Sequence, residues 1–308
     1  MFKMLFTPLK PMHASRGKEA FDDDRFIFEP QYDGGRLLLH KQRERVEAYT
    51  RYGHIVTSKF PELLETAHAI KADTVILDCE GICLREGRPV FDDFLHRGRL
   101  GKATTIAQAA KTHPATFVAF DVLYSGDESH MDEPLMQRKE RLAGLIEDSP
   151  VLSKTLYIEG KGTALFSLTK EKGMEGIVAK RRDSVYGLDR RSPDWLSIKH
   201  VRTIDAVIVG YRMNPFALVI GLHFRTMKNK PVGTVEEGIN AEDRQAFLAV
   251  AAQLHTQTDR QTGTQWIVPR LCCRVDYLDR TEMHQLHTTV FRGFLPDRRP
   301  EDCVYSYN

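Results

Sequence analysis

Two carboxylates, a carboxamide and a guanidinium fall within the eight residues EPQYDGGR: Glu29, Asp33, Gln31 and Arg36. Apolar runs precede and follow, so a strand, an Asp-Gly-Gly turn and a second strand would gather them around one turn. The segment has the look of a nucleotide-holding turn, although a plain hairpin with charged edges would carry the same residues. LDCEG, at 77–81, sets Glu80 in an otherwise apolar run, where a carboxylate is costly unless paired or metal-bound. AFDVLY adds Phe120 and Asp121, MEGIVAKR adds Glu175 and Lys180, and WLSIKH adds Lys199. Taken singly, each is an ordinary ion pair or core residue. Basic clusters at 180–182 (KRR), 189–191 (DRR) and 199–202 (KHVR) are of a kind that neutralises phosphates.

The elements that must position these residues are short. Strands are expected at 26–30, 36–40 and 45–50, and stronger ones at 74–84 and 115–124, which are rich in β-branched and aromatic residues. Proline at the first helical position and apolar spacing predict a helix from Pro61 through 70. A second, amphipathic helix with a mostly basic polar face is expected at 133–146. MEGIVAKR and DWLSIKH read as two further strands about a charged turn. Beyond residue 201 come IDAVIVGYR, ALVIGLHF, PVGTVEEG, a helix at 241–254, WIVP and CCRVDYLDRTE. Short strands around one helix over about a hundred residues fit a small barrel of the OB type. The expected class is α+β with antiparallel sheets and flanking helices, as two domains, 1–202 and 203–308.

Composition narrows the rest. A formal net charge of +2 is too small to argue for a nucleic-acid partner without the clustering. Cys79, Cys83, Cys272, Cys273 and Cys303 are odd in number and contain no C-x-x-C, which points to reduced thiols. His284 and His287 follow two of them at a spacing that fits no zinc pattern. No apolar run is long enough to span a bilayer, and the N-terminal MFKMLFTPLKP meets proline too early for a signal peptide, so a cytoplasmic location is expected. GRLGKAT, at 98–104, is not a phosphate loop: His96 stands at the first glycine position and Ala103 follows the lysine.

In order and spacing, EPQYDGGR, TRYG (50–53), LDCEG, AFDVLY, EGIVAK and WLSIK resemble the nucleotidyltransferase motifs of ATP-dependent DNA ligases. The second part, with IDAVIVGY, VGTVEEG and the closing VFRGFLPDRRPEDC, resembles the OB domain of compact bacterial ligases and of end-joining ligase domains. Nothing resembles the zinc and BRCT segments of NAD-dependent ligases, which favours ATP. The resemblance implies an adenylation domain at 1–202, an OB-fold domain at 203–308 and sealing of nicked double-stranded DNA through enzyme–AMP and DNA–AMP. It implies ATP and Mg²⁺ or Mn²⁺ as cofactors, a monomer, and an end-binding repair protein as a further partner.

By the same resemblance, position 31 belongs to a lysine whose amine attacks the α-phosphorus of ATP. Asp33 and Lys199 would join it in catalysis. Arg36, Arg51, Lys180 and Lys199 would surround nucleotide and phosphates, Phe120 would stack on adenine, and Glu29 would sit beside the base. Glu80 and Glu175 would contact the ribose or hold the metal, and Arg298 with Asp297 would help orient the pyrophosphate. The basic clusters would meet DNA phosphates.

Three residues depart from that pattern. Gln31 replaces the nucleophile, and a carboxamide nitrogen, delocalised into its carbonyl, offers no lone pair for attack. Ser197 stands where a lysine is usual, and Leu295 where an arginine is usual. An introduced substitution and a natural degenerate paralogue both account for Gln31. Lys41, the nearest lysine, should lie at the far end of the following strand. Self-adenylation is therefore expected to be impaired, while sealing of a pre-adenylated nick bypasses position 31. Competing readings are a nick- or end-binding clamp without chemistry and a capping-type guanylyltransferase.

Overall fold

A computed structural model describes residues 4–306, and the chain divides into two compact units, 1–199 and 200–308. The division falls before residue 202 because Arg202 already pairs with Tyr277 in the second unit's sheet. The class is α+β, with mostly antiparallel sheets and few helices.

The first unit carries two sheets. The larger runs Arg45–Thr50, Gly35–Gln42, Thr74–Arg85, Ala115–Ser125 and Glu128–Ser129, with two short strands added at Arg88–Pro89 and Leu152–Lys154. The smaller runs His13–Arg16, Arg191–Lys199, Gly176–Arg181, Phe26–Gln31 and Ile158–Glu159. Alternation along each strand decides which side chains face which core. In the larger sheet Leu37, Leu39, Leu77 and Cys79 enter one core, while Leu38 and Ile76 enter another that also contains Ile27 and Trp195 of the smaller sheet. Phe26, Phe28, Ile177, Ala179 and Ile198 face the opposite way and pack with Leu165 of the helix Gly162–Glu171. The same alternation puts Glu29 and Gln31 with Ile27, Arg36 with Leu38, Asp78 and Glu80 with Ile76, and Ser197 and Lys199 with Trp195. The polar residues thus extend the shared core of the two sheets into a cleft.

Gly176 allows the smaller sheet to close there. A Cβ on it would lie 2.1 Å from the Ile198 carbonyl oxygen, at the level where Gly176 pairs with both Gln31 and Lys199.

The continuous helix expected at 61–70 is instead a 3₁₀ turn, Pro61–Leu64, and a single α-helical turn, Thr66–Ala69. Tertiary contacts override the helical spacing: Glu62 is buried against Arg97, and the Thr66 hydroxyl donates to the Leu63 carbonyl. The helix expected at 133–146 spans Leu135–Leu145, but its basic face is not all solvated, because Arg138 and Lys139 are buried. Helices Phe91–Arg99 and Ala103–Thr112 occupy the stretch on either side of Gly101–Lys102.

The second unit is an OB-type domain. Its sheet orders Lys230–Val235, Phe216–Leu222, Arg202–Met213, Gln265–Tyr277 and His255–Thr258, with Val290–Phe294 also pairing to Gln265–Tyr277. The helix Ala241–Leu254 has Asn240 as its cap, accepting from the Asp243 amide at 2.7 Å. WIVP and CCRVDY belong to one strand rather than two. Pro269 lacks an amide hydrogen, and it falls where the pairing skips from Trp266 to Leu271. All five cysteines are free and buried, and His284 packs against the stacked rings of Phe224 and Tyr305.

Candidate functional site

The inner end of the cleft is built around buried charge. Glu29 is 3% exposed and sits between two lysines, ion-paired with Lys139 and with Lys180 at 2.7 Å. Lys180 also lies 4.4 Å from the centroid of Phe120 and 3.9 Å from that of Trp195. Burial lowers its pKa to about 8, against the attraction of Glu29. Lys139 further donates to the Phe120 carbonyl at 2.7 Å. Lys180 is therefore held beside the aromatic rings and Glu29.

Next along the cleft, Arg36 makes a two-pronged ion pair with Asp78 at 2.9 and 2.6 Å, and its guanidinium lies 5.2 Å from the Phe120 centroid. Asp78, which is fully buried, also accepts from the Tyr186 hydroxyl at 2.5 Å. That hydroxyl in turn accepts from the Met12 amide at 3.1 Å. Burial works against the charge on Arg36, but Asp78 prevails and raises its pKa.

At the outer end the side chains are neutral or half-buried. The Ser197 hydroxyl donates to Gln31 Oε1 at 2.7 Å, and Gln31 Nε2 donates to Glu175 Oε2 at 2.8 Å. Lys199 Nζ donates to Glu175 Oε1 at 2.6 Å. Burial pushes the Glu80 carboxyl up to about 8; Arg36 opposes this, while Glu175, Asp78 and Asp33 add to it. Asp33 is thus close enough to feel Glu80, as the turn geometry predicts. Among the described residues no group of three or more His, Cys, Asp or Glu is arranged to hold a metal ion.

Two expected residues have contacts of their own. Arg51 is exposed and lies over the Tyr52 ring at 4.7 Å. It shares a cationic neighbourhood with Arg36 and Arg191 that, after burial, lowers the pKa of His13. Arg298 belongs to the second unit, where its Nε is 3.5 Å from Asp205 and its terminal nitrogen 3.4 Å from the Asp302 carbonyl. Leu295 packs against that unit's core.

The basic clusters are partly self-neutralised. Arg181 pairs with Asp183 and Arg182 with Glu159, while Asp189 is taken up by Lys10 from outside the clusters and Arg191 donates to the Ala14 carbonyl. Lys41, buried, donates to the carbonyls of Ile70 and Ala72 at 3.0 and 2.6 Å and has no route to position 31.

Sequence reasoning misses Asp78, Tyr186 and Lys139. Asp78 is legible, since the two-residue period puts it on the same face as Glu80. Tyr186 and Lys139 carry no local signal.

A two-unit chain with an OB-type second part and a charged, aromatic-lined cleft in the first is the architecture of a nucleotidyltransferase. The model of the ATP-dependent DNA ligase domain matches residues 4–199, and the chain belongs to that family. It is 35% identical over 204 residues to the SPbeta prophage-derived DNA ligase-like protein LigB of Bacillus subtilis, covering 66% of this chain and 72% of that one. It is 28% identical over 316 residues to the multifunctional non-homologous end joining DNA repair protein LigD of Mycobacterium tuberculosis, covering 97% of this chain but 40% of LigD. Among solved structures, mycobacterial DNA ligase D complexed with ATP and MES matches with a TM-score of 0.57 and 29% identity, over 98% of this chain and 99% of that one.

Proposed function

We propose that this ligase-family chain has lost reaction with ATP and keeps the strand-joining step on nicked duplex DNA whose 5′-phosphate already carries AMP. The observation that carries this reading is the fixed Gln31 carboxamide. It is anchored between Ser197 and Glu175, where the family resemblance implies an attacking amine. Neither Lys41, held by two carbonyls, nor Lys180, held by Glu29, is placed to take over.

In strand joining the 3′-hydroxyl oxygen bonds to the 5′-phosphorus, the bond from that phosphorus to AMP breaks, and AMP leaves while the hydroxyl proton passes to solvent. No bond to position 31 forms. Phe120 offers the ring face for adenine, backed by Lys180, Trp195 and Glu29. Lys199 and Arg36 supply cationic donors toward phosphoryl oxygens, where preorganised charge lowers the barrier. Glu80, held near other carboxylates and only partly offset by Arg36, is the group whose environment best fits a divalent cation, with Glu175 beside it. Substrate phosphate and water would complete the shell, as is common for Mg²⁺, and the ion would polarise phosphoryl oxygens. Exposed arginines of the charged turn would exchange their carboxylate partners for DNA phosphates.

Two incubations test the reading. With radiolabelled ATP and Mg²⁺, the wild-type chain should take up no acid-labile AMP and Gln31→Lys should take it up. With a pre-adenylated nick, the wild type should release AMP and yield the sealed strand. Absence of AMP release from that nick would overturn the reading and favour a clamp that binds nicks without chemistry.

A further inference from the structure

Gln31 and Ser197, the two departures in the first unit, touch. They lie on strands that do not pair with each other: Gln31 pairs with Gly176, and Ser197 with Val178, so the strand Gly176–Arg181 runs between them. Their side chains reach across it at 2.7 Å. The polarity of the arrangement is dictated. An ionised Glu175 only accepts, so the amide must turn its NH₂ toward Glu175 and its oxygen toward the Ser197 hydroxyl. Glu175 then presents its other oxygen to Lys199 at 2.6 Å. A neutral side chain at position 31 contributes a directed donor without adding a second ammonium against the carboxylate that Lys199 uses.

We propose that Gln31 and Ser197 act as joint positioning residues, holding Glu175 so that Lys199 is fixed for strand joining. Gln31 is then a working part of the site and not a vacated one. The inference rests on the strand-joining reading given above, and Ser197 takes part only through Gln31.

The test compares wild type, Gln31→Ala, Ser197→Ala, the double variant and Ser197→Thr in single-turnover joining of a pre-adenylated nicked duplex with Mg²⁺. Affinity for the same duplex is read by fluorescence anisotropy. Gln31→Ala should lower the limiting rate constant about tenfold, as expected when a hydrogen bond to a charged group is removed, and Ser197→Ala about threefold to fivefold, since it removes a bond between neutral groups; the dissociation constant should change by no more than about twofold in either. The double variant should be no slower than the slower single one, because both act on one chain of contacts. Ser197→Thr, which keeps the hydroxyl, should retain the rate. Additive losses, a loss in affinity alone, or an unchanged rate would overturn the proposal.

A second measurement does not depend on joining. Acetylation of Lys199 by an N-hydroxysuccinimide ester, mapped by mass spectrometry, should be severalfold faster in Gln31→Ala and Ser197→Ala than in wild type. Unchanged labelling overturns the positioning. A wild type that joins nothing while Lys199 responds as expected overturns strand joining and leaves the positioning of Lys199 standing.

Discussion

The two ends of the cleft use polar residues in opposite ways. At the inner end one carboxylate, Glu29, is buried between two lysines, one of which lies beside two aromatic rings. At the outer end a neutral amide and a hydroxyl, both half-buried, connect to the Glu175–Lys199 pair. The inner end is over-determined: each charge there relies on an opposite charge that solvent cannot replace. The outer end can change residue type at small cost to the fold, because water can satisfy what a substitution leaves open. The departures from the ligase pattern in this unit fall at that tolerant end.

The comparison breaks most directly at Glu29. Replacing Glu29 with Gln leaves two buried ammonium groups without a counter-charge and should cost about 3–5 kcal/mol. Gln31→Ala should cost under about 1 kcal/mol. Urea unfolding of both variants checks the contrast, and similar losses for the two would remove it.

Glu80 lies between the two regimes and gives a pH signature. Its pKa, raised from 4.5 to about 8, means that between those values the folded chain keeps a proton that the unfolded chain has released. Its contribution to stability is therefore full below about pH 4.5 and is lost as pH rises toward 8. Glu80→Gln should stabilise the chain by about 1–3 kcal/mol at pH 8 and by little at pH 4.5, while abolishing joining of a pre-adenylated nick. Thermal unfolding at the two pH values, with and without Mg²⁺, is the measurement. Stabilisation of wild type by Mg²⁺ that persists in Glu80→Gln would remove this residue from the metal site.

What the sequence can and cannot reveal follows the same division. The turn at 29–36 and the strands carrying Glu80, Phe120 and Lys199 are legible, because strand alternation and turn glycines are local signals, whereas Glu175 lies just before its strand, which begins at Gly176. Partners that arrive from distant elements are not. Lys139 reads as one more charge on a basic helix face, yet the fold turns it onto Glu29. Arg138 reads the same way and lies buried on Asp121 at 2.8 Å. Ser197 reads as a missing cation, and only the register of three strands shows it to be a donor to Gln31. The helix expected at 61–70 fails for a similar reason, since the Glu62–Arg97 pair couples residues 35 apart.

Tyr186 probes how far the inner end's rigidity reaches toward Arg36. Tyr186→Phe removes the hydroxyl that joins Asp78 to the Met12 amide and should cost about 1–2 kcal/mol by leaving that buried amide unpaired. Arg36 keeps its two-pronged pair with Asp78, so nick joining should fall less than in an Asp78→Asn variant. Equal losses in joining would mean that the phenol, not the carboxylate, holds Arg36 in place.

The smallest effect on stability is expected at the exposed arginines, and it separates surface charge from cleft charge. Arg181 and Arg182 pair with Asp183 and Glu159, with side chains 42% and 38% exposed. Solvent-exposed pairs of this kind contribute under about 1 kcal/mol and often nothing measurable. The Arg181→Ala, Arg182→Ala double variant should therefore unfold within about 0.5 kcal/mol of wild type. If these arginines trade their carboxylates for DNA phosphates, the slope of log affinity for a nicked duplex against log salt should shrink by about 0.9 for each phosphate no longer neutralised. Unchanged slope with unchanged stability would assign the pairs to the protein surface alone. DNA binding would then fall to cations that the structure leaves outside such pairs, with exposed Arg51 the first to examine.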